Sequence, residues 1–259
     1  MSLRNPARER LERGELALGL GLRLAKSVDI AKILKTSGYD WLFIDLEHGT
    51  MSLDQATQIA VAALDTGISP IVRVPALQHH MATRALDGGA LGIVMPHVDT
   101  AEEAREIVDR LKYPPTGHRS VAGAQPQFDY RAMKVAELTQ SLNAACLTIV
   151  MIETPRAVAN AEAIAAVPGV DVLLIGTNDL AAEMGIPGDF ANPRIAGAYE
   201  TVIAACRRHG KWPGMGGLYQ EELLRRFIGM GMRMVLAGGD VGMLMQAASQ
   251  RSGFLRGCL

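Results

Sequence analysis

Three side chains able to do proton or electrostatic chemistry, Asp45, Glu47 and His48, close the apolar run Trp41-Leu42-Phe43-Ile44, and Gly49 follows them. An imidazole with an unperturbed pKa of about 6.5 can shuttle protons, an effect worth roughly 10²–10⁴ in rate, which makes His48 a candidate acid/base. Arg73 ends a second apolar run, Pro70-Ile71-Val72. A buried guanidinium is costly without an anion, so its partner is either a substrate or Asp45 or Glu47. Glu153 follows the run Cys146 to Ile152, and Asp179 lies just beyond Asp171 to Ile175. Two carboxylates at neighbouring strand ends suit a hard divalent cation such as Mg²⁺ or Mn²⁺, which keeps water and substrate oxygens as its other ligands. The plainer alternative is that each carboxylate caps the helix after it. Between strand and helix, Gly176-Thr177-Asn178 offers backbone N–H groups to a substrate carboxylate, with glycine permitting close approach. Gly238-Gly239 stands where many barrels bind phosphate. His97, after Met95-Pro96, is a candidate for lining the mouth; His79, His80, His118 and His209 read as surface residues.

These groups lie far apart in the chain, so the scaffold must gather strand ends. Strand-then-helix units recur throughout. Leu16 to Leu22, Trp41 to Asp45, Pro70 to Val74, Leu91 to Met95, Cys146 to Ile152, Asp171 to Ile175, Lys211 to Gly216 and Arg233 to Ala237 read as strands. Helices are expected over residues 26–36, 78–87, 130–142 and 241–249, the third of them an extra one after a long loop from Tyr113. Capping boxes at Ser52-Leu53-Asp54-Gln55 and Thr100-Ala101-Glu102-Glu103 start two more, and Thr154-Pro155 and Asn192-Pro193 carry an N-cap followed by proline. Eight such units predict an α/β fold, a closed (β/α)8 barrel forming a single domain over residues 1–259, with a doubly wound open sheet as the alternative. In a barrel the carboxyl ends of the strands carry the chemistry.

Composition narrows the partners. The chain has 259 residues, 49% of them hydrophobic and 20% charged, with a net charge of −1. Nucleic-acid binding would require an excess of Lys and Arg, so a small-molecule partner is expected. Cys146, Cys206 and Cys258 are scattered and odd in number, which fits a reducing, cytoplasmic setting. The Arg/Glu-rich leader to Arg13 does not resemble a signal peptide, and no apolar run approaches the roughly 18 residues of a membrane span.

The motifs Tyr39 to His48, Val72-Arg73, Tyr113-Pro114-Pro115-Thr116-Gly117-His118-Arg119, Ile152-Glu153-Thr154 and Ile175 to Leu180, in this order, resemble the HpcH/HpaI group of class II, metal-dependent pyruvate aldolases. The group includes 4-hydroxy-2-oxoheptanedioate aldolase and 2-dehydro-3-deoxygalactarate aldolase, and the resemblance runs from about residue 15 to 250. It implies Glu153 and Asp179 as ligands of Mg²⁺, Mn²⁺ or Co²⁺, His48 as acid/base oriented by Asp45, and Arg73 as the cation for the keto oxygen and its enolate. It further implies Asp87 reaching a neighbouring subunit's histidine, amides near Gly176, Thr177 and Asn178 for the pyruvate carboxylate, and a homo-hexamer with an exchanged C-terminal helix. Met151 replaces a glutamine common in the group, and a thioether cannot reproduce an amide's hydrogen bonds.

The expected reaction is cleavage, or formation, of 4-hydroxy-2-oxo acids to pyruvate and an aldehyde through a metal-stabilised enolate. None of Lys26, Lys35, Lys112, Lys134 or Lys211 falls at a strand's carboxyl end, which argues against a Schiff-base aldolase. Arg119 is a candidate anchor for a distal carboxylate, and Glu47 for fixing Arg73 or water. The alternatives are a CoA-ester lyase of the citrate- or malyl-CoA type, for which the chain offers no obvious basic nucleotide groove, and a non-catalytic keto-acid-binding barrel.

Overall fold

The computed structural model describes residues 3–76 and 78–258, so Met1, Ser2, Leu77 and Leu259 of the expected domain lie outside the described residues. Eight strands, β1 (Ala17–Leu22), β2 (Trp41–Asp45), β3 (Ser69–Arg73), β4 (Gly92–Met95), β5 (Leu147–Ile152), β6 (Val172–Gly176), β7 (Trp212–Gly216) and β8 (Met234–Gly239), close into a barrel in chain order. All neighbours pair in parallel, and β8 returns to β1. Strands in such a sheet are covered on both faces, which is why β2 reads as an unbroken apolar run and is buried at every position.

The two faces sort by alternation. Leu20 and Leu22 point outward into the core shared with the helices, whereas Ala17 joins the barrel interior with Trp41, Ile71, Leu147 and Met234. The alternating leucines of β1 therefore face the helix shell, and its small residues face the lumen. The reason is Trp41, which fills the space opposite β1 and donates its indole N–H to the Ala17 carbonyl at 3.1 Å. A methyl on Gly19 would lie 2.1 Å from the Trp41 ring.

The amino-terminal leader, which the sequence marked only by its charge, has a structural role. Pro6–Glu12 is a helix capped by Asn5, and its Ala7 and Leu11 join the barrel-interior core. Asn5 reaches the strand bottoms: its amide donates to the Leu91 and Ala145 carbonyls at 2.9 and 2.8 Å and accepts from the Ser69 hydroxyl at 2.7 Å. Arg8 and Arg10 pair outward with Asp171 and Asp40, each at 3.1 Å. This end of the barrel is thus stoppered, leaving the carboxyl-end mouth for function.

Other boundaries differ from expectation. The extra helix begins at Val135 and runs to Ala145, because Asp129 and Tyr130 adopt left-handed backbone after a 3-10 turn. Two short helices, Pro155–Ala159 and Ala161–Ala165, follow β5. The last helix is longer than expected, Asp240–Arg256, and none of its residues is buried. Among the described residues no helix is long and apolar enough to cross a membrane.

The contact between Gly19 and Trp41 predicts that Gly19→Ala destabilises the barrel by about 1–3 kcal/mol or more through overpacking. Urea denaturation of the variant should show a lower midpoint, and an unchanged midpoint would refute the assignment of Trp41 to the lumen beside β1.

Candidate active site

A cavity of about 450 Å³ opens at the carboxyl ends of the strands. It is lined from β2 by Phe43, Asp45 and His48, from β3 by Arg73, from β5 by Met151, from β6 by Gly176 to Asp179, and from the β7 and β8 exits by Gly217, Tyr219, Gly238 and Asp240. Of the strand-end residues singled out from the sequence, Asp45, His48, Arg73 and Asp179 line it, gathered because the barrel closes in chain order, whereas Glu47, His97 and Glu153 are not among its lining residues.

Arg73 is the cavity's fixed cation, 7% exposed. Its Nε and Nη2 donate to the two oxygens of Asp45 at 3.0 and 2.7 Å, and Nη1 lies 2.9 Å from Glu47. Its guanidinium stands 5.0 Å from the Phe43 ring centroid. Burial works against both charges of the Asp45 pair, but hydrogen bonding and Coulomb attraction outweigh it. The Asp45 carboxyl is held below its ordinary range and the Arg73 guanidinium above its own. Arg73 therefore has both of the internal partners that the sequence offered as an alternative to a substrate. Glu47, whose role was open, is one of them.

Asp45 does not meet the His48 ring, as expected of a residue that orients it. Its Oδ1 accepts the backbone N–H groups of Glu47 and His48 at 3.1 and 3.2 Å, so it fixes the chain from which His48 projects. The ring itself is 54% exposed, with Nε2 3.9 Å from Glu47.

Glu153 is 1% exposed. Gly176 makes room for it, since a methyl there would lie 2.5 Å from Glu153 Oε1. The His97 backbone N–H donates to Glu153 Oε2 at 2.9 Å, an approach made with His97 in left-handed backbone at φ 54°. The His97 ring stands 3.5 Å from Glu153 and 3.6 Å from Glu47, bridging two carboxylates. Burial pushes the Glu153 carboxyl up to about 7; His97 opposes the rise, the negative Asp179 adds to it and Arg73 lowers it. Asp179 lines the cavity and is exposed. Among the described residues no group of three or more His, Cys, Asp or Glu is placed to hold a metal ion. The donors present are two hard carboxylates, one of them buried beside a like charge. That set fits Mg²⁺ or Mn²⁺, which bind through one or two carboxylates plus water and substrate oxygens.

Thr177 spends its hydroxyl on Tyr199 at 2.8 Å and on the Gly216 carbonyl at 2.7 Å, so only its main chain is available to a ligand. The N–H groups of such a first helical turn have no intrahelical acceptor. Met151 places its sulfur 4.0 Å from Arg73 Nη1.

Two expected residues lie elsewhere. Arg119 and Asp87 are not among the cavity's lining residues; they pair with each other at 2.5 Å, with Arg119 buried over the Tyr113 ring. The Arg119 guanidinium, expected as a distal anchor, instead secures the long loop to the helix that carries Asp87. Conversely, Arg23 and Tyr219 line the cavity without having been singled out. Arg23 carries the same signal as Arg73, a cation at a strand's carboxyl end, hidden because the leucine-rich β1 reads as scaffold. Tyr219 sits beyond β7 and has no periodicity to reveal it.

The fold is a parallel eight-stranded barrel with an arginine and carboxylates at its mouth, and its similarity to known proteins makes it a carbon–carbon lyase. The chain belongs to the HpcH/HpaI aldolase/citrate lyase family, which it matches over residues 23–247. It is 44% identical over 247 residues to a 4-hydroxy-4-methyl-2-oxoglutarate aldolase of Hapsidospora irregularis, covering 93% of this chain and 90% of the relative. It is 35% identical to the 2-dehydro-3,6-dideoxy-6-sulfogluconate aldolase of Pseudomonas putida, over 95% of each chain. The crystal structure of an HpcH/HpaI aldolase from Desulfitobacterium hafniense superposes with a TM-score of 0.91 at 30% identity, covering 96% of both chains.

The raised Glu153 pKa gives a pH prediction. A carboxyl that protonates more readily folded than unfolded contributes stability below its ordinary value of 4.5, and that contribution is lost as pH rises toward about 7. A cation competes with that proton, so the rise in melting temperature on adding Mn²⁺ should be small at pH 5.5 and large at pH 8. Thermal scans at both pH values test this; an equal shift at the two, or one retained in Glu153→Gln, would count against Glu153 as the ligand.

Proposed function

We propose that this protein is a divalent-cation-dependent aldolase that cleaves, or forms, 4-hydroxy-2-oxo acids to pyruvate and an aldehyde. The observation that carries the reading is Arg73, a buried guanidinium lining the same cavity as Asp179, with the buried Glu153 close enough behind that lining to feel the charges of both. The two relatives named above, both aldolases, support it. Glu153 and Asp179 would hold Mg²⁺, Mn²⁺ or Co²⁺, which when bound supplies Lewis-acid polarisation of the keto group.

The chain's own residues do the rest. Backbone N–H groups at Gly176, Thr177 and Asn178 receive the pyruvate carboxylate, and Arg73 faces the keto oxygen. Fixed in advance by Asp45 and Glu47, Arg73 offers its charge to the developing enolate without reorganising, which is how preorganised donors lower a barrier. His48, exposed at its ring and anchored at its backbone, takes the proton from the C4 hydroxyl. The C3–C4 bond breaks, the aldehyde leaves, and the enolate is protonated at C3 to give pyruvate. Met151 offers no amide at the position beside Arg73, so the keto acid is oriented by the arginine and the main chain.

The active assembly in this proposal is a cytoplasmic homo-hexamer. Its support is the last helix, Asp240–Arg256, which leaves Leu244, Met245, Phe254 and Leu255 exposed and packs only lightly on its own barrel. Exchanged between subunits, that apolar surface would be covered, and Asp87, whose side chain remains 39% exposed, would reach a neighbour's His48. The three free cysteines fit a reducing compartment.

Two outcomes are expected. With pyruvate in D₂O and Mn²⁺, the protein should exchange the methyl protons, chelation should stop exchange, and Arg73→Ala should slow it about 10²–10³-fold. Exchange that survives chelation would reject the cation-dependent reading. Light scattering should give a hexamer that Phe254→Glu dissociates; a monomeric parent protein would reject the exchanged helix.

A further inference from the structure

The cavity contains a second arginine whose situation is the reverse of Arg73's. Arg23 follows β1 directly and lines the same cavity. Its Nε donates to the His48 carbonyl at 2.6 Å, which orients the guanidinium beside the residue that handles protons. Arg73 is met by Asp45 at 2.7 Å and Glu47 at 2.9 Å, whereas Arg23 forms no ion pair among the described residues. The acid that meets the chain at Arg23 across the barrel seam is Asp240, and it is already engaged. Its carboxylate accepts backbone N–H groups from Arg23 at 3.1 Å, Leu24 at 2.8 Å, Ala25 at 2.7 Å and Val241 at 2.8 Å. Main-chain dipoles thus disperse the charge of Asp240, and the Arg23 guanidinium keeps its own.

An arginine lining a cavity with its charge unspent and both Nη groups without a partner among the described residues is suited to a carboxylate, which the two Nη groups can bind bidentately. Resting on the aldolase reading above, we propose that Arg23 is a specificity-determining residue that binds a carboxylate on the carbonyl partner. The substrate class is then 4-hydroxy-2-oxo acids bearing a second carboxylate at the far end, and the partner released is an oxo acid. Arg73 and Arg23 divide the work. The first, already neutralised, serves charge that develops during the reaction; the second serves charge the substrate carries in.

The test is a ratio, because Arg23 also holds the His48 carbonyl and its loss can slow every substrate. Aldol addition to pyruvate is measured with a carboxylated aldehyde, glyoxylate, and a neutral one, propanal, and the two kcat/KM values are divided. The ratio should fall about tenfold or more in Arg23→Gln, fall further in Arg23→Glu, and fall less in Arg23→Lys, which keeps the charge without the fork. Circular dichroism checks the fold of each variant, and Arg23→Lys supplies the comparison if Arg23→Gln does not fold. Parent protein that exchanges no pyruvate methyl protons with Mg²⁺, Mn²⁺ or Co²⁺ overturns the aldolase reading and this proposal with it. Exchange in the parent protein with an unchanged ratio in the folded Arg23 variants overturns the role of Arg23 alone.

Discussion

The site depends on the two-pronged pairing of Arg73 with Asp45 between the carboxyl ends of adjacent strands. Asp45 and Arg73 occupy the same rung of β2 and β3, so the pairing is written into the sheet's register. Removing both charges from water costs energy, and a buried ion pair is weak evidence of stabilisation. What the pair provides is position. Asp45 uses its remaining capacity on the backbone of Glu47 and His48, and Glu47 completes the coordination of Arg73. One carboxylate thereby fixes a cation, a second acid and the chain that bears the imidazole.

The charge balance around that pairing explains the rest of the mouth. Asp45 and Glu47 more than match Arg73, which leaves Glu153 and Asp179 without an equivalent partner; the His97 N–H and the nearby positive groups compensate Glu153 only in part. Burial raises the Glu153 carboxyl to about 7, and in the proposed mechanism a cation takes the place of its proton. The His97 ring, between Glu47 and Glu153, joins the two halves of the site across the β4 exit.

Much of this was legible in the chain. Parallel strands buried on both faces produce apolar runs, so Asp45, Arg73, Glu153 and Asp179 stood out as charges where runs end, and eight such runs implied the barrel. What was hidden lacked that contrast. The Pro6–Glu12 helix is too short and too charged for Ala7 and Leu11 to register as an apolar face, yet those residues close the barrel's floor. Arg23 follows a leucine-rich strand whose inward face is glycine, so its position looked like scaffold. The pairing of Arg119 with Asp87 depends on how a long loop folds back, and neither residue's spacing encodes it. The left-handed turn at His97 was likewise hidden, since histidine adopts that backbone more often than most residues but still only uncommonly, and the Glu153 contact that accompanies it is tertiary.

A crystal structure with Mn²⁺ and pyruvate tests the central claim most directly. Anomalous scattering should place the cation between Glu153 and Asp179, with the pyruvate keto oxygen facing Arg73 and its carboxylate at the Gly176–Asn178 main chain. A cation bound away from both carboxylates, or pyruvate bound out of reach of Arg73, would contradict it.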